Sequence, residues 1–260
     1  MLSMLFDSHV HLNDSDLFPI AEEIIERALH AGVKYFHVIG YDVRTNQRAI
    51  ELANRYPSVY LALGYHPSAV KDISDQDLVL LEQQLQHPKC TAIGECGLDY
   101  YWDKTFEDKQ KVIFKAQIEL ANKTKKPLVI HMRDSAHDTL VMLQNYKDKA
   151  VSGIMHCYSG SVEMVKDFLL ENMYISLAGP VTFKNAKTPK AVAQIVPLDR
   201  LLIETDSPWL APHPFRGKQN EPSYLPYINE EIARIRHIPS EEMARITFEN
   251  TCRLLGIDSK

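Results

Sequence analysis

Residues 4–11 read Met4-Leu5-Phe6-Asp7-Ser8-His9-Val10-His11, a short apolar run that leads into two histidines one residue apart. Such a run is typical of a buried strand, and we predict a strand from Met4 to Ser8. Side chains of an extended chain alternate between two faces, so His9 and His11 point to the same side. This stretch therefore predicts a strand that carries two imidazoles at its C-terminal end.

Seven further β-rich runs follow along the chain, and longer segments with helical spacing of apolar residues separate them. The predicted strands are Lys34 to Ile39, Val59 to Leu63, Thr91 to Glu95, Leu128 to His131, Gly153 to His156, Tyr174 to Leu177 and Arg200 to Glu204. Helical spacing is clear from Ile20 to Leu29 and from Phe114 to Ala121. A closing helix is predicted to begin with Ser240 as its capping residue and to end at Gly256.

Alternation of strands and helices along the whole chain is typical of parallel βαβ units. Eight strands favour a closed barrel over an open doubly wound sheet, because closure leaves no sheet edge exposed. Such barrels typically need roughly 250 residues, and this chain has 260. We therefore predict an α/β fold, a single (β/α)8 TIM-type barrel, with residues 1–260 as one domain.

The composition is that of an ordinary globular protein, with 45% hydrophobic and 24% charged residues. No apolar run approaches the roughly 18 residues that a membrane span requires, and no signal peptide is recognisable, so we expect a cytoplasmic protein. The four cysteines form no CxxC pair and are expected to be reduced. A formal net charge of -5 argues against a protein that coats nucleic acid through a broad basic face, but not against a nucleic-acid enzyme.

Residue types that bind metal ions recur where the predicted strands end. Barrel enzymes build their active sites at the C-terminal ends of the strands, so this placement is informative. Any one of these residues alone is explained as well by packing or solvation, but several strands that direct such groups at one rim favour a metal centre. Cys96 should face away from Glu95 by alternation and is predicted to pack in the core. The candidate ligands are His9, His11, Glu95, His131, His156 and Asp206.

Imidazole nitrogens together with carboxylate oxygens suit Zn, Mn, Ni or Fe, and are less typical of Mg, which prefers oxygen ligands. A catalytic site must leave one coordination position free for water. Six protein ligands shared by two ions through one bridging carboxylate meet that requirement. The residues therefore predict a catalytic centre of two divalent metal ions.

Several stretches, in this order along the chain, resemble the TatD family of metal-dependent deoxyribonucleases within the wider amidohydrolase-like superfamily. The resemblance extends over nearly the whole chain, and it implies a (β/α) barrel, dependence on a divalent metal often described as Mg, and hydrolysis of phosphodiester bonds in DNA. Glu95 stands where some relatives in the superfamily carry a modified lysine, which favours the nuclease branch over the phosphotriesterase branch. The matching stretches are Asp7 to His11, Gly64 to Pro67, Gly94 to Tyr100, His131 to Arg133, His156 to Gly160, Glu204 to Pro208 and Pro214 to Pro222.

The expected mechanism divides the ligands between two ions roughly 4 Å apart. One ion is predicted to bind His9, His11 and Asp206, and the other His131 and His156, with Glu95 as the bridge. Asp206 is the expected general base, since a carboxylate at the metals can accept a proton from the attacking water. Glu95 and Asp206 are thus the predicted catalytic residues.

Further side chains near the predicted rim suggest contacts with a substrate. Arg133 and Arg216 can each pair a guanidinium fork with two phosphate oxygens, although each is explained equally well as a salt-bridge partner. His66 is a third predicted substrate contact, with a structural role as the alternative. Glu204 is expected behind a metal ligand or on a further ion. Aromatic residues that follow the metal-bearing strands, which either stack on bases or pack in the core, are Tyr100, Tyr158 and Trp209.

The sequence thus predicts a deoxyribonuclease that acts as an exonuclease on DNA, single-stranded or at a free end, with no membrane and no obligate protein partner. The nearest alternative is a hydrolase of the same superfamily that acts on an amide, a lactone or a phosphate ester. An alternative of another class is a non-catalytic metal-binding or nucleic-acid-binding protein. That class would need a filled coordination shell or a basic tract, and the sequence has neither.

Overall fold

The structure is a computed structural model that describes residues 4–102 and 104–258. Eight parallel strands pair in sequential order, so each strand lies beside the next one in the chain. Sequential order excludes the doubly wound alternative, in which the order of strands reverses within the sheet. The strands are β1 (Leu5–Val10), β2 (Val33–Ile39), β3 (Val59–Leu63), β4 (Cys90–Asp99), β5 (Leu128–Arg133), β6 (Gly153–Met155), β7 (Met173–Leu177) and β8 (Leu201–Ile203).

Helices connect successive strands and surround the sheet, which gives the (β/α)8 TIM-type barrel that the sequence predicts. Two helices follow the last strand. The helices are α1 (Ala21–His30), α2 (Val43–Arg55), α3 (Asp75–Gln84), α4 (Glu107–Thr124), α5 (Ala136–Tyr146), α6 (Val165–Leu170), α7 (Lys187–Ile195), α8 (Leu225–Arg236) and α9 (Ser240–Leu255).

All eight predicted strands are present, and the corrections concern where they end. β1 continues to Val10, β4 to Asp99 and β5 to Arg133, beyond the predicted ends at Ser8, Glu95 and His131. The extension of β4 has a clear cause, because its last residues pair with β5 up to the partners Asp99 and Arg133. In contrast, β6 and β8 end one residue earlier than predicted.

The seam between β1 and β8 is closed by specific contacts with the segment that follows β8. The buried Asp7 carboxylate accepts hydrogen bonds from the backbone N–H and the hydroxyl of Thr205. The backbone N–H of Asp206 donates to the carbonyl of His9, and that of His11 donates to Ser207, at 3.0 and 2.9 Å. These bonds hold the segment that carries Asp206 against the two histidines of β1.

Two apolar layers stabilise the barrel. The larger layer lies between the strands and the surrounding helices, and Cys96 packs there with its side chain fully buried, as predicted. The second layer fills the barrel interior with side chains such as Phe6 and Ile39, and Phe248 of α9 packs against it. α9 thus covers the barrel at the end remote from the C-terminal ends of the strands.

The predicted capping role of Ser240 is wrong. Pro239 occupies the capping position, and Ser240 is the first residue of α9. The Ser240 hydroxyl and carbonyl oxygens instead accept hydrogen bonds from the Asn229 side chain of α8, at 2.9 Å each. The hydroxyl therefore links α8 to α9 and does not cap the N-terminus of α9.

All four cysteines are free, in agreement with the expectation of reduced thiols. None of the helices within residues 4–102 and 104–258 combines the length and the apolar character that crossing a membrane demands.

Candidate metal centre

The carboxylate of Glu95 on β4 lies among the predicted ligands, and its two oxygens face different histidines. Oε2 lies 3.4 Å from the Nε2 atoms of both His9 and His11. Oε1 lies 3.1 Å from Nδ1 of His131 and 3.1 Å from Nε2 of His156. One carboxylate therefore separates the four imidazoles into two pairs.

The first pair comes from β1 and is completed by Asp206. As predicted, His9 and His11 point to the same side, and their Nε2 atoms are 3.0 Å apart. Asp206 Oδ1 lies 3.7 Å from Nε2 of His9 and 3.5 Å from that of His11. The backbone of Asp206 is in the left-handed region with φ 55°, a conformation that short polar side chains such as Asp tolerate better than most. This turn aims the carboxylate at the barrel axis.

A hydrogen bond on the far side of the ring orients each of three imidazoles. Nδ1 of His11 donates to the carbonyl of Ile39 at 2.9 Å. Nδ1 of His156 donates to Glu204 at 3.0 Å, and Nε2 of His131 donates to Asp99 at 2.8 Å. When such a ring is neutral, its single proton lies on the outer nitrogen and the inner nitrogen presents a lone pair to the centre, which is the arrangement that metal-binding histidines require.

His66 is oriented in the opposite sense. Its Nδ1 accepts the backbone N–H of Ser68 at 3.0 Å, so the proton of the neutral ring lies on Nε2. Nε2 points inward, 3.6 Å from Oε1 of Glu95. Burial and the neighbouring His131 lower the pKa of His66 to about 3, which keeps the ring neutral. His66 thus presents a hydrogen-bond donor to the centre.

The two carboxylates at the centre are ionised although they are buried. Burial opposes ionisation of Glu95, but the imidazole of His156 and the hydrogen bond with His131 outweigh it and hold the pKa of this carboxyl well below its ordinary value. Burial likewise opposes ionisation of Asp206, but the hydrogen bond with His11 and the charge of His156 hold its pKa below the ordinary value. Burial and the nearby His156 also lower the pKa of His9, which favours the neutral ring that can bind a metal.

These side chains suit divalent cations. Among the residues that the structure describes, three groups offer ligand atoms within 4.8 Å of one another, namely His9, His11 and Asp206, then His9, Glu95 and His156, and then His66, Glu95 and His131. The mixture of neutral nitrogen and anionic oxygen donors is typical of catalytic sites for transition metals. The donor set therefore fits a divalent metal cofactor. Two of the three groups share Glu95, but they place His156 with His9 rather than with His131, so the division of the ligands between two ions stays a prediction.

The centre lies at the bottom of a cavity of about 730 Å³ that opens at the C-terminal ends of the strands. Arg133 lines the cavity, with its guanidinium carbon 3.7 Å from the centre of the Tyr101 ring. Arg216 lies outside it, exposed on the segment after β8 with its guanidinium over Phe183. Of the two arginines predicted to contact substrate, the fold brings only Arg133 to the cavity.

The other residues that the sequence suggested for the site also differ in whether they reach the cavity. Glu204 is fully buried and bonds to the far nitrogen of His156, so it lies behind this imidazole. Tyr100 and Tyr158 direct their hydroxyls to Asp138 and to the carbonyl of Ser161, away from the cavity. Trp209 lines the cavity. These placements favour packing for the two tyrosines and leave Trp209 available for stacking.

Two residues at the cavity were missed by the interpretation of the sequence. Asp99 orients His131, and Trp102 lies at the mouth with its side chain largely exposed. Asp99 is part of the Gly94 to Tyr100 stretch, so the signal was present. Its role depends on β4 continuing past the predicted end, which period-two alternation alone did not indicate.

Comparison with known proteins identifies the family. The family model described as TatD related DNase matches residues 6–256. The metal-dependent hydrolase YabD of Bacillus subtilis is 48% identical over 98% of this chain and 100% of its own length. The 3'-5' ssDNA/RNA exonuclease TatD of Salmonella typhimurium is 32% identical over 97% of this chain and 99% of its own length. The crystal structure of YJJV, a TatD homologue from Escherichia coli K12, superposes with a TM-score of 0.93 at 27% identity and covers 99% of this chain and 100% of that one. With its barrel and its His, Glu and Asp cluster, this chain belongs to the TatD-related DNase family of metal-dependent hydrolases.

Proposed function

We propose that this protein hydrolyses phosphodiester bonds at the ends of single-stranded DNA, as an exonuclease with two divalent metal ions. The observation that carries the proposal is the division of the site by Glu95, whose Oε2 faces His9 and His11 while Oε1 faces His131 and His156. A carboxylate that directs one oxygen to each of two histidine pairs is the expected bridge of a two-metal hydrolase.

In this proposal His9, His11 and Asp206 would hold one ion, and His131 and His156 the other, with Glu95 shared. Two bound ions would supply a water molecule of lowered pKa and would neutralise charge that develops on the phosphoryl oxygens. Glu204 and Asp99 take no direct part. They hold His156 and His131 in the orientation that leaves the lone pairs on the inner side.

Asp206 acts as the general base. Its carboxylate is ionised and lies at the edge of the cavity, so it can accept a proton from the attacking water. The oxygen of that water forms a bond to phosphorus, the bond from phosphorus to the leaving sugar oxygen breaks, and the leaving oxygen takes a proton from solvent. Asp206 then returns its proton to bulk water.

His66 and Arg133 bind the phosphate in this scheme. The Nε2–H of His66 points into the cavity and can donate to a phosphoryl oxygen. Arg133 lines the same cavity, and its planar guanidinium can pair with two phosphate oxygens. The Arg133 guanidinium and the His66 N–H lie beside the candidate metal centre. These groups favour an anionic substrate over a neutral amide or lactone.

The name of the Salmonella relative, a 3'-5' ssDNA/RNA exonuclease, supports a nucleic-acid substrate for this chain. The test is digestion of end-labelled single-stranded and double-stranded DNA by metal-free protein that has been refilled separately with Mg, Mn and Zn. We expect stepwise shortening from one end, faster on single strands. A panel with a lactone, an amide and a phosphate monoester is assayed in parallel, and preference for any of these over DNA would contradict the proposal.

Variants at Glu95 and Asp206 test whether the activity depends on the candidate metal centre. Glu95→Gln and Asp206→Asn should each lower the rate on DNA by at least about 100-fold, since each removes a negative charge at the metals. Matched controls are Glu119→Gln and Asp148→Asn, which alter exposed surface ion pairs and should leave the rate unchanged. Circular dichroism and thermal melting confirm that all four variants are folded.

A further inference from the structure

Both tryptophans of this chain lie at the mouth of the cavity. The sequence contains two tryptophans, Trp102 and Trp209, and both line the cavity above the candidate metal centre. Their exposed fractions are 73% and 48%. Tryptophan is highly buried on average in folded proteins, because exposing its large ring to water costs free energy. Placement of both at one rim, with neither in the core, calls for a ligand that covers them.

The two rings are carried by opposite sides of the barrel. Trp102 follows β4 and Trp209 follows β8, and these strands lie half a turn apart in a sheet that runs in order from β1 to β8. The metal-ligand candidates lie between them, below the rim. A molecule that reaches the centre from solvent therefore passes between two indole rings.

The backbone of each tryptophan is anchored while its ring remains exposed. The N–H of Trp209 donates to the carbonyl of Asp206 at 3.0 Å, and its own carbonyl accepts from the Asn220 side chain at 2.6 Å. The N–H of Trp102 donates to Asp99 at 3.3 Å. Both anchoring residues also contact the centre, since the Asp99 carboxylate bonds to His131 and the Asp206 carboxylate lies beside His11. The backbone of each tryptophan is thus tied to a residue that also contacts the candidate metal centre.

Groups around the rings are those that bind an unpaired nucleotide. The guanidinium carbon of Arg133 lies 5.3 Å from the centre of the Trp102 ring and 3.7 Å from that of the Tyr101 ring. Met132, Pro180 and Leu210 give the cavity apolar walls. Aromatic faces for bases next to a cation for phosphate are the combination by which proteins bind single-stranded nucleic acids. The volume of about 730 Å³ lies within the range of small-molecule sites.

We infer that Trp102 and Trp209 form a base-binding site for unpaired nucleotides at a strand end, with the adjoining phosphate directed to Arg133 and the metal centre. This inference rests on the proposed function and adds the element that selects the substrate. A base in a duplex has both faces covered by its neighbours and cannot stack on an indole. The site therefore requires single strands or frayed ends, and it discriminates a nucleotide from a phosphodiester without a base.

The two tryptophans also make the site directly observable, because all indole fluorescence of the protein comes from this rim. The protein loaded with Mn or Zn is titrated with thymidine 5'-monophosphate and, separately, with ribose 5-phosphate, which lacks the base. We expect the nucleotide to quench the emission of the wild type and of both single-tryptophan variants, Trp102→Phe and Trp209→Phe. Ribose 5-phosphate should not quench at the same concentration.

Affinity is then measured by isothermal titration with the same two ligands. Trp102→Ala and Trp209→Ala should each weaken nucleotide binding about tenfold, the usual effect of removing one stacking ring, and leave ribose 5-phosphate unaffected. Tyr227→Ala, at an exposed aromatic residue outside the cavity, is the matched control. Both tryptophans are exposed, so the variants should fold as the wild type does.

The inference is overturned if the two ligands quench equally, or if both alanine variants bind the nucleotide as tightly as the wild type does. Digestion separates this outcome from failure of the proposed function. An oligonucleotide whose terminal residue is abasic should be cut at least about tenfold more slowly than a normal one. Equal rates on the abasic and the normal oligonucleotide would contradict the base-binding site, and the nuclease proposal would still stand. Base-dependent quenching by a protein that cuts no DNA would support the site and contradict the nuclease.

Discussion

The carboxylate of Asp99 contacts both the His131 imidazole and the backbone beside Trp102. Oδ2 accepts a hydrogen bond from Nε2 of His131 at 2.8 Å. Oδ1 accepts the backbone N–H groups of Tyr101 and Trp102, at 2.9 and 3.3 Å. One side chain at the end of β4 therefore orients a candidate metal ligand and fixes the loop that forms the cavity rim.

Asp99→Asn should weaken metal binding without unfolding the protein. The amide carries no charge to polarise the Nε2–H of His131, and loss of such a partner typically lowers metal affinity by about 10-fold to 100-fold. Isothermal titration of metal-free protein with Mn or Zn measures the effect. Asp148→Asn, at an exposed carboxylate, is the control and should bind metal as the wild type does. Equal affinities in both variants would show that Asp99 does not position His131.

Arg133→Lys should raise the KM for single-stranded DNA by about 10-fold, because the ammonium cannot replace a planar fork on two phosphate oxygens. The kcat should change less than the KM, since binding of phosphate is made in the ground state and the transition state alike. Steady-state kinetics on an end-labelled oligonucleotide measures both.

Arg216→Lys is the matched control for this prediction. Both arginines lie over an aromatic ring, Arg133 over Tyr101 and Arg216 over Phe183, but only the first lines the cavity. We expect the kinetics of Arg216→Lys to equal those of the wild type. A larger effect at Arg216 than at Arg133 would reverse the assignment of the phosphate contact.

Much of the fold and the central residues of the site could be predicted from the sequence, because both depend on local patterns. Alternation of strands and helices predicts the barrel, and period-two alternation places His9 and His11 on one side. Since the C-terminal ends of parallel strands meet at one end of a barrel, residues far apart in the chain, such as Glu95 and Asp206, could be expected to meet.

The parts that could not be predicted depend on contacts between elements. Asp99 acquires its role only because β4 pairs with β5 beyond Glu95, and pairing length depends on the partner strand. Arg216 belongs to a stretch that matches the family, yet its place outside the cavity depends on the path of the segment after β8. The role of Ser240 depends on Asn229 of the preceding helix.

Removal of divalent metal should lower the thermal stability of the protein. A ligand that binds only the folded state at 100 times its Kd adds about 2.7 kcal/mol, and for a chain of this size each kcal/mol corresponds to roughly 2–4 °C in Tm. We therefore expect Mn or Zn in that excess to raise the Tm of metal-free protein by about 5–10 °C. Differential scanning calorimetry measures the shift, and Glu95→Gln should show a smaller one. Identical melting with chelator and with metal would argue against a metal centre.

His37 predicts a pH dependence of stability. This residue of β2 is fully buried, its Nδ1 donates to the carbonyl of Ser8 at 3.2 Å, and its Nε2 lies 3.2 Å from the Thr91 hydroxyl. Burial lowers the pKa of His37 to about 4, whereas an unfolded chain binds the proton near pH 6.5. The unfolded state therefore gains protons first as pH falls, and stability is lost between about pH 6.5 and pH 4.

His37→Gln removes the titration and keeps a side chain that can both donate and accept hydrogen bonds. Between pH 7 and pH 5 the metal-free wild type should lose about 2 kcal/mol more unfolding free energy than the variant, since pH 5 lies 1.5 units below the pKa of unfolded histidine. Urea unfolding at the two pH values gives this difference, and groups that titrate equally in both proteins cancel from it. His30→Gln is the control at an exposed histidine and should lose as much as the wild type. If His37→Gln and the wild type lose equal free energy, the folded protein binds a proton at His37 as readily as the unfolded chain does.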